Sequence, residues 1–418
     1  MNYIYSRVSR EKNFYGRTNP IQLIEQFGTP LYVYNEDILR TRCRDLKGLI
    51  SYSNFTVNYS PKANGNLEIL KIVRSEGLHV DAMSPGEIYV NLLAGYSPEQ
   101  IFYISNNVSR EEFLYAIKAG VKISVDSISQ LELYGRINPG GKVAFRLNPG
   151  FGDGHHEKVK TAGKNTKFGI EMGHIPEVKR IIEKYNLKLT GINQHIGSLF
   201  MEGNAYLQSA ENTLLVARQF DDLDFIDFGG GFGIPYRKQA DQARLDLKAL
   251  GTRFSALIES WVKEYGKSIE IKIEPGRYII AESGILLGQV NAVKTNYDVK
   301  YIGTDLGFNV LIRPAMYGSH HDVEIYRKDD FISDNEEKVT IVGNICETGD
   351  ITAKDRVLPE IIENDVLGVL DSGAYGYSMS SNYNNRLRPA EVLIGTDGNP
   401  RLIRRRDTLE DLVRSFIL

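Results

Sequence analysis

Phe55-Thr-Val-Asn-Tyr-Ser-Pro-Lys-Ala-Asn64 is an alternating run that ends on a lysine. Phe55, Val57 and Tyr59 alternate with Thr56, Asn58 and Ser60, the period of a half-buried β-strand. Pro61 ends the pairing, so Lys62 is delivered to the C-terminal mouth of a sheet. An ordinary solvated lysine needs no such placement. A lysine that must form a Schiff base does, because desolvation lowers its pKa and frees the amine as a nucleophile. A lysine after a strand is more often a plain loop residue, so the rest of the chain has to decide.

Outward from that run, strand and helix signals alternate from about residue 36 to 280. Strand-like runs centre on Thr56-Val57, His79-Val80, Phe102-Tyr103, Lys122-Ile123, Ala144-Phe145, Thr190-Gly191, Phe225-Ile226 and Ile271-Lys272. Ser84-Pro-Gly-Glu87, Ser109-Arg-Glu-Glu112 and Ser127-Ile-Ser-Gln130 match capping boxes, and Pro85 suits a first helical turn. Eight such units are the count of a (β/α)8 barrel, whose active site lies at the C-terminal strand ends. Pro149 to His174, rich in Gly, His and Lys, is expected as a βα loop over that face.

After Gly284 the texture changes to short alternating runs at Leu286 to Val293, Val299 to Thr304, Lys338 to Val342, Val366 to Leu370, Ala390 to Ile394 and Arg401 to Arg405. These predict an antiparallel β-sandwich or barrel-like domain, joined by the N-terminal run Thr29-Pro-Leu-Tyr-Val-Tyr34. The expected division is therefore 36–280 for the barrel and 1–35 plus 281–418 for the β domain.

The chain has 418 residues, 42% hydrophobic and 25% charged, with a formal charge of -3. That is an ordinary globular composition with no electrostatic case for nucleic acid or an anionic membrane as partner. Arg401, Arg404, Arg405 and Arg406 cluster, but Asp407, Glu410 and Asp411 follow, so a charged strand and turn is expected there. Cys43 and Cys346 are too few for a disulfide framework and fit a reducing cytosol. Met1 to Thr18 lacks the apolar core of a signal peptide. Tyr278 to Val290 is too short, and too interrupted by Glu282, to span a membrane. A cytoplasmic location is the expectation.

Polar groups collect at the strand ends: Asp81 after the second, His195-Ile-Gly-Ser198 after the sixth, Gly229-Gly-Gly-Phe-Gly233 after the seventh and Glu274-Pro-Gly-Arg277 after the eighth. Singly, each has a bland reading: a turn cap, a core histidine, a flexible connection, a surface ion pair. Together on one barrel they suit pyridoxal phosphate. The lysine binds it covalently, exposed N–H groups hold its phosphate, and a carboxylate keeps its pyridine nitrogen protonated.

At this point the chain resembles the fold-type III pyridoxal-phosphate decarboxylases, with their alanine-racemase-like barrel, and among them the diaminopimelate decarboxylases. The matching pieces are Tyr59-Ser-Pro-Lys-Ala-Asn64, His195-Ile-Gly-Ser198, Gly229-Gly-Gly231, Glu274-Pro-Gly-Arg277, Arg313-Pro-Ala-Met-Tyr317, Cys346-Glu-Thr-Gly-Asp350 and Gly373-Ala-Tyr-Gly376, in order over nearly the whole chain. Asn148-Pro-Gly-Phe-Gly-Asp-Gly-His155 and Arg401-Leu-Ile-Arg-Arg-Arg406 resemble one bacterial branch.

The resemblance implies decarboxylation of meso-2,6-diaminopimelate to lysine and carbon dioxide, the last step of lysine biosynthesis, in a homodimer with shared active sites. It implies that Lys62 holds the cofactor, His195 stacks on its ring, Glu274 pairs with the pyridine nitrogen and Asp81 sits near the Schiff base. Ser198, Gly229, Gly230, Gly231, Gly276, Arg277 and Tyr375 would complete the cofactor site. Arg277, Arg313, Tyr317 and Tyr375 would grip the distal amino-acid end of the substrate, Glu347 its ammonium, and Cys346 of the other subunit would return a proton after carbon dioxide leaves. The catalytic set is then Lys62, Cys346 and His195.

Two departures stand out: Ser60-Pro61 where a small or aliphatic pair is common, and Thr348 where serine is usual. The alternatives are a decarboxylase of the same fold acting on ornithine, arginine, carboxynorspermidine or a carrier-tethered substrate, and a non-catalytic cofactor-binding homologue. His155-His156 and His320-His321 suggest no metal, since adjacent strand residues face opposite sides.

Overall fold

The computed structural model describes residues 5–150, 162–163, 166–328 and 335–417. Two compact units make up the chain, Arg40–Ile234 with Arg244–Ile279, and Met1–Leu39 with Pro235–Ala243 and Ile280–Leu418. The segment 235–243 thus belongs with the second unit, although the sequence division placed it in the barrel.

In strand order, the chain begins with β1 (Leu31–Asn35), taken up below with the second unit. The barrel unit is then built from β2 (Phe55–Tyr59), β3 (His79–Ala82), β4 (Ile101–Ile104), β5 (Lys122–Val125), β6 (Lys142–Asn148), β8 (Lys188–Asn193), β9 (Phe225–Asp227) and β10 (Glu270–Ile273), with the two-residue β7 (Ile170–Glu171) on β6. Every neighbour pair is parallel, and the β5–β6 and β10–β2 pairings close the ring. All eight expected strand centres lie inside these strands. Phe102, Ile104, Ala144 and Phe225 form an apolar cluster within the unit, with the Phe102 and Phe225 rings edge to face at 5.1 Å. Each such large apolar side chain contributes roughly 1.5–3 kcal/mol by leaving water.

The helices between strands start as their caps dictate, with one refinement. Ser109 accepts from Glu112 N (3.2 Å) while Glu112 accepts from Ser109 N (2.8 Å), a complete capping box. Ser84 and Ser127 cap Glu87 N and Gln130 N, both at 3.2 Å, but the return bonds differ. Glu87 reaches back one residue further, to Met83 N (2.6 Å), and Gln130 bonds Val108 N (3.3 Å).

The second unit is mostly sheet, in the order β15-β14-β12-β11-β1-β17-β18, with β13 and β16 attached through β11. Its strands after β1 are β11 (Gly284–Asn296), β12 (Val299–Thr304), β13 (Val323–Tyr326), β14 (Glu336–Val342), β15 (Ile351–Pro359), β16 (Val366–Val369), β17 (Ala390–Ile394) and β18 (Pro400–Arg404). The N-terminal β1 is buried along its whole length between β11, antiparallel, and β17, parallel. The pairing of β12 with β14 is also parallel, so antiparallel ladders dominate without being universal. Leu31, Val33, Ile285, Leu287, Val366 and Val392 are part of its core.

The arginine cluster is indeed a strand and turn. Arg404 pairs with Glu391, Arg405 holds Asp411 through two bonds and Arg406 donates to Pro30 O (2.7 Å). Of the expected loop Pro149 to His174, Asn148 anchors the base, binding Gly163 N (2.9 Å) and Phe168 O (3.2 Å). His155 and His156 lie outside the described residues. Among the described residues no group of three or more His, Cys, Asp or Glu is placed to hold a metal, and no helix is long and apolar enough to cross a membrane.

Candidate active site

On the barrel, Lys62 follows the C-terminal end of β2 in a tight turn, with Ala63 N donating to Ser60 O (3.1 Å) and Tyr59 OH to Asn64 O (2.9 Å). Gly276 makes this possible: a Cβ there would meet Ala63 Cβ at 3.0 Å and Ser60 Cβ at 3.2 Å. Lys62 is exposed, not desolvated as expected from the sequence. What sets it apart is the company of ionisable groups that feel its charge: Asp81, His195, Glu274 and Glu87.

Asp81 is fully buried, which pushes its carboxyl up to about 8 against the pull of Lys62. Ser60, one of the two departures before the lysine, donates its hydroxyl to Asp81. The departure therefore adds a hydrogen bond to the acid beside the lysine.

His195 is half-buried, and its pKa lies well below the ordinary value because of burial, then the charges of Lys62 and Arg146. Gly230 N donates to His195 Nδ1 at 3.0 Å. Nδ1 therefore carries no hydrogen, and the ring is a neutral imidazole protonated at Nε2. A neutral flat ring is the species suited to stacking on an aromatic cofactor.

The glycine run leaves no room for side chains. A Cβ on Gly229 would lie 2.3 Å from Gln194 O, and one on Gly230 would lie 2.0 Å from Glu274 O. Beside it, Arg277 donates through Nη2 to Ser198 Oγ at 2.9 Å. The Gly229 and Gly230 N–H groups are taken by Asp227 and His195, so Arg277, the Ser198 hydroxyl and the half-buried Gly231 beside the run are the groups suited to a phosphate. Glu274 is buried, and its Oε1 receives no donor from the described residues. Burial, then Asp227 and Asp81, raise its pKa well above the usual range. A buried acid with an open oxygen suits a protonated ring nitrogen. The donor set therefore fits pyridoxal phosphate.

The remaining expected residues lie on three connections of the β unit. Arg313 and Tyr317 share the short helix Arg313–Tyr317. Arg313 is buried over the Tyr236 ring (4.7 Å), and its Nη1 is 2.6 Å from His321 Nε2. His321 Nδ1 lies 2.7 Å from Leu370 O, so its hydrogen sits on Nδ1 and Nε2 accepts from the arginine. The second histidine of the His320-His321 pair thus aims a guanidinium. Cys346 and Glu347 are exposed on the turn before β15, whose shape Asp350 fixes by accepting from Phe308 N (2.6 Å) and Ile345 N (2.8 Å). Asn384 contacts Cys346 twice, Oδ1 to its N (3.2 Å) and Nδ2 to its Sγ (3.3 Å), and Tyr383 OH donates to Glu347 (2.7 Å). Tyr375 follows β16 in a left-handed conformation, φ 56°.

Sequence reasoning missed Asp227, Arg146, His321, Tyr236 and Asn384. For Asp227 the signal was available: like Asp81, it ends an apolar strand just before the mouth.

The barrel and its mouth define the class, a barrel enzyme that works through pyridoxal phosphate. A family described as "Pyridoxal-dependent decarboxylase, pyridoxal binding domain" matches residues 36–281. Diaminopimelate decarboxylase of Methanothermobacter thermautotrophicus is 41% identical over 96% of this chain and 94% of its own length. The Escherichia coli K12 enzyme of that name is 35% identical over 96% of each. A crystal structure of diaminopimelate decarboxylase from Helicobacter pylori complexed with L-lysine superimposes with a TM-score of 0.86 at 28% identity, covering 95% of this chain and 98% of that one. The chain belongs to the diaminopimelate decarboxylase family of pyridoxal-dependent decarboxylases.

Proposed function

We propose that this enzyme decarboxylates meso-2,6-diaminopimelate to lysine and carbon dioxide in the cytoplasm, as a homodimer with shared active sites. The observation that carries the substrate assignment is Arg313, a buried guanidinium held between His321 and Tyr236. A fixed planar fork suits a carboxylate distal to the reacting centre, and a simple diamine precursor has none.

Pyridoxal phosphate, when bound, accepts the electron pair released with carbon dioxide. Lys62 is the residue that holds it, and Asp81 beside Ser60 keeps a proton near that amine. His195 would present its neutral ring to the cofactor, and Glu274 would face its pyridine nitrogen. Ser198, Gly229, Gly230, Gly231, Gly276, Arg277 and Tyr375 receive the rest of the cofactor. Arg277, Arg313, Tyr317 and Tyr375 orient the substrate's far end, and Glu347 takes its ammonium. Cys346, supplied by the partner subunit, delivers the proton that replaces the lost carboxylate.

Carbon dioxide release from a panel of meso-diaminopimelate, lysine, ornithine and arginine tests this. A preference for any of the last three would overturn the substrate assignment and leave the family intact. Arg313→Ala is expected to raise KM far more than it lowers kcat. Loss of charge-assisted contacts costs about 1.5–3 kcal/mol, roughly a 10- to 150-fold loss in kcat/KM. Ser198→Ala should raise the cofactor concentration needed for half-maximal activity while leaving saturated turnover largely intact, because Arg277 remains.

A further inference from the structure

Beneath Glu274 lies an acid that the roles above do not use. Asp227 ends β9 directly opposite Lys272 of β10, and Glu274 follows two residues on along the same strand direction. Asp227 is fully buried; its Oδ1 accepts from Gly229 N at 2.8 Å. Its Oδ2, like Glu274 Oε1, is buried with no donor from the described residues. The two carboxyl groups are hydrogen-bonding neighbours, yet ionised carboxylates are acceptors only. A single proton shared by the pair would supply the donor that two carboxylates lack.

We propose that Asp227 is a positioning residue that shares a single proton with Glu274 and keeps it on the Glu274 side, facing the pyridine nitrogen. This rests on the cofactor role given to Glu274 above.

Two buried carboxylates in contact do not both ionise. Which one keeps the proton follows from what surrounds them. Asp227 has the Gly229 N–H and the buried Lys272, itself paired to Glu270 at 2.8 Å, and both favour its charged form. Glu274 has Asp227 and Asp81 as negative neighbours, opposed by Lys62 and by Arg146, which feels its charge. The Tyr206 hydroxyl, also buried without a partner among the described residues, feels both acids. In agreement, burial raises both carboxyls, Glu274 well above the ordinary carboxylate range with Asp227 and Asp81 adding to the rise. With the cofactor bound, Glu274 would face the pyridine nitrogen as its partner and could supply this proton to it.

Infrared spectra of the cofactor-free chain test the shared proton at about pH 8, where ordinary carboxyls are ionised. Glu274→Gln should remove one protonated-carboxyl band, leaving any band from Asp81 in place. Asp227→Asn should make the Glu274 band titrate away at least about one pH unit lower, and Asp227→Glu should restore it. Coincident spectra for the parent and Glu274→Gln, or an unchanged titration in Asp227→Asn, would overturn the proposal. If Asp227→Asn does not fold, the Glu274→Gln comparison alone decides.

A second arm measures cofactor affinity against pH by spectroscopic titration. The parent should outbind Asp227→Asn by a ratio that widens with pH only between the variant's and the parent's Glu274 pKa, roughly tenfold per pH unit there, because over that range the variant must take up the proton. A pH-independent ratio alongside the expected infrared result would remove Glu274 from the pyridine nitrogen and leave the shared proton standing.

Discussion

Lys62→Ala is expected to yield a folded protein that has lost both decarboxylation and the visible absorbance of the bound cofactor. The loss is total because nothing can substitute for the amine. Arg146 and Arg277 are guanidinium groups, which stay protonated and do not act as amine nucleophiles. Lys272 is buried lower in the barrel in an ion pair with Glu270. Folding should survive. Lys62 is exposed, and exposed substitutions away from special features usually stay within about 0.5 kcal/mol. Removing its charge also withdraws the influence that lowers Asp81 and Glu274, so both acids hold their protons more firmly in the variant. The check is an absorbance spectrum and carbon dioxide assay on protein whose melting temperature matches the parent. A variant that stays coloured and turns over would place the covalent lysine elsewhere.

What could be read from the sequence, and what could not, divides along a physical line. The barrel strands were legible because each is a short apolar run bounded by turn residues, and the acids and glycines stood at their ends. In the β unit, β12 and β17 fall where the alternation put them, whereas β13 and β15 did not register. In Val323–Tyr326 the apolar run is interrupted by Glu324, a charged residue that is nonetheless buried. In Ile351–Pro359 the pattern is broken by charged Lys354, Asp355 and Arg356, of which Arg356 turns inward to bond His320 (2.9 Å) and His321 O (3.0 Å).

At the site, side chains proposed to touch cofactor or substrate announced themselves through motifs. Those that act on other side chains did not. His321 was weighed only as a metal ligand, because its partner Arg313 is eight positions away and a hydrogen bond at that spacing has no sequence signature. Asn384 lies 38 positions from Cys346. Lys62 does follow its strand as expected, but its setting was read as desolvated, and only the three-dimensional arrangement shows charge neighbours in place of burial.

Mixing two inactive variants, Lys62→Ala and Cys346→Ala, should restore activity when the chains are unfolded and refolded together. The argument begins with where the groups sit. Lys62, Asp81, His195 and Glu274 all belong to the barrel unit, whereas Cys346, Glu347 and Arg313 all belong to the β unit. If a two-fold dimer completes each site with the partner's Cys346, the interface is isologous and carries two equivalent composite sites. In a mixed dimer one site then joins two substituted positions and is dead twice over. The other joins intact Lys62 from one chain to intact Cys346 from the other and works. Random pairing makes about half the dimers mixed, so recovery should approach about a quarter of parental activity. Neither variant alone should exceed a trace at any concentration. Asn384 and Asp350, which shape the turn around Cys346, are untouched, so the rescued site should show the parental KM. Verified mixed dimers with no recovered carbon dioxide release would mean that each chain completes its own site, and the shared-site assembly would fall while the assignment of Lys62 stood.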